Sequence, residues 1–127
     1  MFYEELYTEL GKLFYYLASA DGKVRQEERQ SLLQLIHNTW EPLEDSPDKY
    51  GTDEANIIDF SFDYEEEEGF RENEFESFET FYHANHSKFT PAIIRNILKT
   101  CEAISSAYQA KNKTEQVVLD KITKLLK

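Results

Sequence analysis

An all-α fold, a single-domain helical bundle of about six helices, is what this chain predicts, and three observations carry the prediction. Apolar residues recur at three- and four-residue intervals over most of the length, as in Leu6, Leu10, Leu13, Phe14 and Leu17 and again in Leu32, Leu33, Ile36 and Trp40. The links between these stripes carry Gly, Pro, Asn and Asp, the residues that end helices and form turns. At 127 residues, with 40% hydrophobic and 14% aromatic content, the chain has core material for one domain spanning 1–127 and no more.

The first helix is expected over about Phe2 to Ala20 and the second over about Gln26 to Asn38, joined by Asp21-Gly22-Lys23-Val24. Gly22 can take the positive φ such a corner needs, and the Asp21 carboxylate can accept from the backbone N–H groups that follow. Two prolines, a glycine and several acids between Glu41 and Gly51 predict a loop. From Thr52 to Tyr64 the pattern is double. Thr52-Asp53-Glu54 looks like a helix start, whereas Ile58, Phe60, Phe62 and Tyr64 alternate as a strand would. A strand here would lack a partner, which favours a short helix fraying near Glu65 to Gly69.

Phe75, Phe78 and Tyr82 then form a helical stripe to about Ala84. Thr90-Pro91, a capping hydroxyl followed by proline at the first helical position, opens a long helix through Ile94, Ile97, Leu98, Cys101, Ile104 and Tyr108 to about Ala110. Thr114 is the expected cap of a last helix with Val118, Ile122, Leu125 and Leu126 inward.

Charge is distributed unevenly. The formal net charge is −11, which repels phosphate backbones and anionic lipid and so argues against nucleic acid and membrane surfaces as partners. From Glu41 to Glu79 there are sixteen acids against two bases, Lys49 and Arg71, while the remainder holds nine acids against twelve bases. Aromatics are interleaved with the acids, so the segment is expected to lie on the core with its carboxylates turned outward. Glu65, Glu66, Glu67 and Glu68 mark its centre. Four consecutive glutamates point in different directions on a helix, so the run is not itself a site; a solvated face, a surface for a basic protein partner, or a site for a hard cation such as calcium among the clustered carboxylates are the readings the segment allows.

The sole cysteine, Cys101, sits in an apolar pattern and has no basic neighbour to activate it. There is no Gly-rich phosphate loop and no nucleophile elbow, and no enzyme is expected. With no run of eighteen apolar residues, no basic n-region at the N-terminus and no disulfide framework, a cytoplasmic location without direct membrane insertion is the expectation.

A shift of ninety residues superposes Leu13, Phe14, Leu17 and Ala20 on Ala103, Ile104, Ala107 and Ala110, Gly22 on Asn112, and Leu32, Leu35 and Ile36 on Ile122, Leu125 and Leu126. Two related helix-turn-helix hairpins, with the acidic segment of about 41–79 inserted between them, follow from this.

Leu17-Ala18-Ser19-Ala20-Asp21-Gly22-Lys23-Val24 with Glu27-Glu28, and the echo near Asn112, resemble the TerB-like family. This is the tellurite-resistance type of domain, also found at the N-terminus of some membrane-tethered DnaJ co-chaperones. About fifty residues at the two ends carry the likeness. The resemblance implies an all-α fold of two related hairpins, a stress-related cytoplasmic role, and metal chelation through acids near the Asp-Gly turns. The chain departs from the family pattern where Arg25 replaces a capping Ser, Thr or Asp, where Lys111 and Val118 replace the second set of acids, and in the acidic insertion.

No cofactor is required by these patterns; a divalent cation is the alternative, with two places to sit. Asp21 with Glu27 or Glu28 could offer carboxylates, although an EF-hand loop centred on Gly22 would put Leu17 and Ser19 at ligand positions. Asp21 as turn former and Glu28 as a partner of the helix dipole is the competing account. Glu79, His83 and His86, at i, i+4 and i+7, would share one helical face suited to a transition metal if the helix persisted through His86.

Overall fold

The computed structural model describes residues 2–20, 22, 24–40, 55–69, 74–107 and 113–127. Six α-helices run in order: α1 (Phe2–Ala18), α2 (Gln26–Leu35), α3 (Asn56–Glu68), α4 (Glu74–Ala84), α5 (Pro91–Ser106) and α6 (Lys113–Leu126). A π-helical turn, Ile36–Trp40, continues α2, and a 3-10 turn, His86–Lys88, follows α4. Among the described residues there is no strand, so the all-α expectation holds. None of these helices is long and apolar enough to cross a membrane.

The centre of the bundle is α1. Its stripe of Leu6, Leu10, Leu13, Phe14 and Leu17 is fully buried, as the spacing predicts, but Tyr7, Gly11, Tyr15 and Ala18 on its other sides are buried as well. The helix is wrapped because α3, α4, α5 and α6 all pack on it, while α2 packs mainly on α5. Leu13 and Ile104 lie in one continuous core, together with Trp40, Phe62, Phe78 and Ile122.

Gly11 sets how closely α3 approaches. A Cβ at that position would stand 2.4 Å from the Ser61 Cβ and 2.7 Å from the Ile58 carbonyl oxygen. Its absence lets the helices touch backbone to backbone, and Ser61 Oγ seals the contact by donating to the Thr8 carbonyl at 2.7 Å.

Helix ends follow the local chemistry. Thr90 Oγ1 accepts from Ile93 N at 3.2 Å, with Pro91 at the first helical position. Glu28 Oε1 accepts from Arg25 N at 2.8 Å, the carboxylate half of a capping box whose other half an arginine side chain, having no acceptor, cannot supply. Gly22 has φ 93° and its N–H donates to the Ser19 carbonyl at 2.8 Å, the left-handed corner foreseen for that position. Asp21, Lys23, the loop between 41 and 51, Tyr108, Ala110, Lys111 and Asn112 lie outside the described residues.

Several boundaries differ from expectation. Ideal α geometry in α2 ends at Leu35, not near Asn38, and the next five residues form the wider turn that carries buried Ile36 and Trp40. Leu33, expected inward, is 44% exposed because only its neighbour Leu32 faces α5. The last helix begins at Lys113, so Thr114 sits inside the first turn and not at the cap. The helix expected to fray near Glu65 runs regularly to Glu68 and is closed by Gly69 in the left-handed conformation, φ 76°.

Candidate functional site

The described part of the acidic segment folds as α3 and the first turns of α4, and α3 carries most of its charge. From Asn56 to Glu68 it carries six carboxylates and no basic residue. Ile58, Phe62 and Glu65 face the core at i, i+4 and i+7, which leaves Phe60, Asp63, Tyr64 and Glu67 on the opposite side. Phe60 is 67% exposed and Tyr64 59%, one helical turn apart, and Glu66, Glu67 and Glu68 are exposed beside them. The expectation that the aromatics of this segment pack on the core therefore holds for Phe62, Phe75 and Phe78 and fails for Phe60 and Tyr64, while Phe70 lies outside the described residues.

The flank of α3 that meets α2 is tied by one guanidinium. Arg29 Nη2 donates to Asp59 Oδ1 at 2.6 Å and pairs with Asp63, and Nη1 reaches Glu66 Oε1 at 3.3 Å. The guanidinium carbon lies 4.9 Å from the Phe62 ring centroid. Burial alone would lower the Arg29 pKa; the hydrogen bonds and charges of Asp59 and Asp63 outweigh it and raise the value. Nothing in the sequence singled out Arg29, whose partners lie thirty or more positions away.

Not every carboxylate of the segment turns outward. Glu65 is 6% exposed and Glu74 is 3% exposed, against the expected outward orientation, because the helical period carries these two positions inward. Glu65 Oε2 is buried without a hydrogen-bond partner. Burial pushes the Glu65 carboxyl up, Glu74 adds to the effect, and Lys12 on α1 opposes it. The four glutamates thus divide: Glu65 is interior, Glu66 is bound to Arg29, and Glu67 and Glu68 face solvent.

An open groove of ≈ 530 Å³ runs between α1 and α4, with Glu5, Glu9, Glu76, Ser77 and Phe81 in its wall. One of its carboxylates, Glu9, is neutralised from within: Ser77 Oγ donates to Oε1 at 2.6 Å and Lys12 Nζ lies 3.3 Å from Oε2.

The metal-ligand expectations are placed as follows. Glu28 is 2% exposed and its carboxylate serves the start of α2, Glu27 is exposed, and Asp21 is outside the described residues. The continuous face expected for Glu79, His83 and His86 is broken, since α4 stops at Ala84 and His86 opens the separate 3-10 turn. The rings of His83 and His86 instead flank Tyr82, at 5.5 and 5.4 Å between centroids. Among the described residues, no three His, Cys, Asp or Glu side chains are grouped in a way that could hold a metal ion. Cys101 is fully buried in α5, and that burial pushes its thiol pKa up, away from the reactive thiolate.

No family model, no curated protein and no solved structure matches the chain.

Proposed function

We propose that the chain is a non-enzymatic, TerB-like helical interaction module that offers an acidic face to a basic protein partner in a stress-related, cytoplasmic setting. The observation that carries this reading is the one-sided charge of α3, six carboxylates without a cation, of which Glu67 and Glu68 are exposed and unengaged by Arg29. Fields of one sign on a helix surface attract and orient partners of the opposite sign.

The TerB-like part of the reading is supported by the left-handed Gly22 corner between α1 and α2, and by the sharing of one core by Leu13 and Ile104, the equivalent regions of the two proposed hairpins. The divalent-metal alternative is less favoured because the Glu28 carboxylate is committed to Arg25 N.

A pulldown from lysate with the wild-type chain and with Glu66→Gln, Glu67→Gln, Glu68→Gln combined tests the proposal. Proteins with basic surfaces that are held by the wild type and lost by the variant support it. Identical captures by both contradict it and reduce the acidic face to a solubility feature. Thermal melts with calcium, zinc or manganese address the alternative: an ion-specific rise in midpoint, abolished by Asp21→Ala or His83→Ala, would favour a metal-binding module instead.

A further inference from the structure

We infer that the outer face of α3 is a docking surface for an amphipathic basic helix, whose apolar stripe covers Phe60 and Tyr64 while its lysines or arginines meet Glu67 and Glu68. The inference rests on the acidic-face reading above and names the partner's chemistry.

Two features of the same face lead to it. Phe60 and Tyr64 are the two most exposed aromatic side chains among the described residues, at 67% and 59%, and they stand one turn apart on a regular thirteen-residue helix. A ring pair at i and i+4 forms a short apolar ridge, the complement of a partner helix with apolar residues at similar spacing. Charge then selects among apolar partners. Asp63, Glu67 and Glu68 border the ridge, Arg29, the cation that pairs with α3, is already engaged by Asp59, Asp63 and Glu66, and α3 holds no lysine or arginine of its own. A neutral or acidic amphipathic helix would bring like or no charge to this border, whereas a basic one gains attraction on both sides of the rings. The face is also prebuilt: Ser61 and the missing Cβ of Gly11 lock α3 to α1 from behind, and Arg29 clamps it to α2, so docking requires little reordering.

The test is fluorescence anisotropy on the full chain with a labelled leucine-lysine peptide about two heptads long, patterned as an amphipathic helix, and with an oligolysine of equal charge as the comparison probe. The expected result is saturable binding of the amphipathic peptide that Phe60→Ser with Tyr64→Ser weakens about tenfold or more, since each ring gives up apolar contact. Glu67→Gln with Glu68→Gln should weaken binding severalfold and flatten its salt dependence. Both pairs lie at the surface, and an unchanged melting temperature shows that the fold is kept. If the serine pair binds like wild type while the glutamine pair weakens both probes, the docking ridge is wrong and the acidic-face reading stands. If neither pair nor salt alters binding, or nothing binds, both fail. A concentration-dependent dimer in sedimentation that the serine pair dissociates would assign the ridge to a second copy of this chain and overturn the inference.

Discussion

The indole Nε1 of Trp40 donates to Thr100 Oγ1 at 3.0 Å in the buried core, and Thr100 in turn donates to the Asn96 carbonyl at 2.8 Å. The π turn after α2 is thereby fastened to the middle of α5, and Trp40 also lies edge-on to Tyr7 of α1. Thr100→Val keeps shape but leaves the indole N–H buried and unsatisfied, so it is expected to cost about 1–3 kcal/mol. Urea unfolding followed by the fluorescence of Trp40, the chain's single tryptophan, measures this directly.

Gly11→Ala opposes two effects. Alanine gains roughly 1 kcal/mol of helix propensity over glycine. The new methyl would overlap Ser61 and the Ile58 backbone carbonyl, neither of which is the far end of a flexible side chain. Overpacking of this kind costs about 1–3 kcal/mol, so net destabilisation is expected, read as a lower denaturation midpoint. Ser61→Gly in the same chain, which removes the nearest clash, should recover part of the loss.

Glu65 gives the fold a pH signature. Its carboxyl is raised in the folded state by burial, then by Glu74, Glu9 and Glu68, with Lys12 opposing. A group that holds its proton more tightly when folded contributes stability that is fully present below the ordinary carboxylate range and is lost as pH rises through the raised value. Glu65→Gln mimics the protonated form, so its stability relative to wild type should grow across that window. Melting curves of both proteins from acidic to neutral pH check the sign; a constant difference would refute it.

Arg29→Met removes the cation that holds Asp59, Asp63 and Glu66 together and leaves three carboxylates facing one another. With the guanidinium only partly exposed, the expected loss is on the order of 1 kcal/mol at low salt, shrinking as salt screens the remaining repulsion. Denaturation midpoints at low and high ionic strength measure it.

How much of this was legible in the sequence depended on whether a helix has one buried side or more. In α5 the Thr90-Pro91 start and the inward Ile97, Cys101 and Ile104 were legible, whereas Ile93 and Thr100 are fully buried where Ile94 and Leu98, only partly buried, were expected. For α1 the spacing revealed the leucine stripe but not the burial of Tyr7, Gly11 and Tyr15, because a helix covered on several sides loses the polar face that periodicity detects. The strand-like alternation of Ile58, Phe60, Phe62 and Tyr64 has a simple origin. Ile58 and Phe62 form one i, i+4 pair turned to the core, Phe60 and Tyr64 form another turned to solvent, and the two interleave. That second pair is the part of the candidate site hidden in the pattern: a sequence shows that an aromatic is present, not which side of the helix its neighbours leave uncovered. Arg29 was hidden for a different reason, since its partners are brought to it only by the packing of α2 beside α3.

The central claim, that the outer face of α3 receives a basic helix, is tested most directly by amide chemical-shift mapping of the full chain during titration with the leucine-lysine peptide. The account predicts the largest, saturable perturbations at Phe60, Asp63, Tyr64, Glu67 and Glu68, with α5 and α6 nearly unaffected. Perturbations centred on α5 or α6, or none at all at saturating peptide, would contradict it.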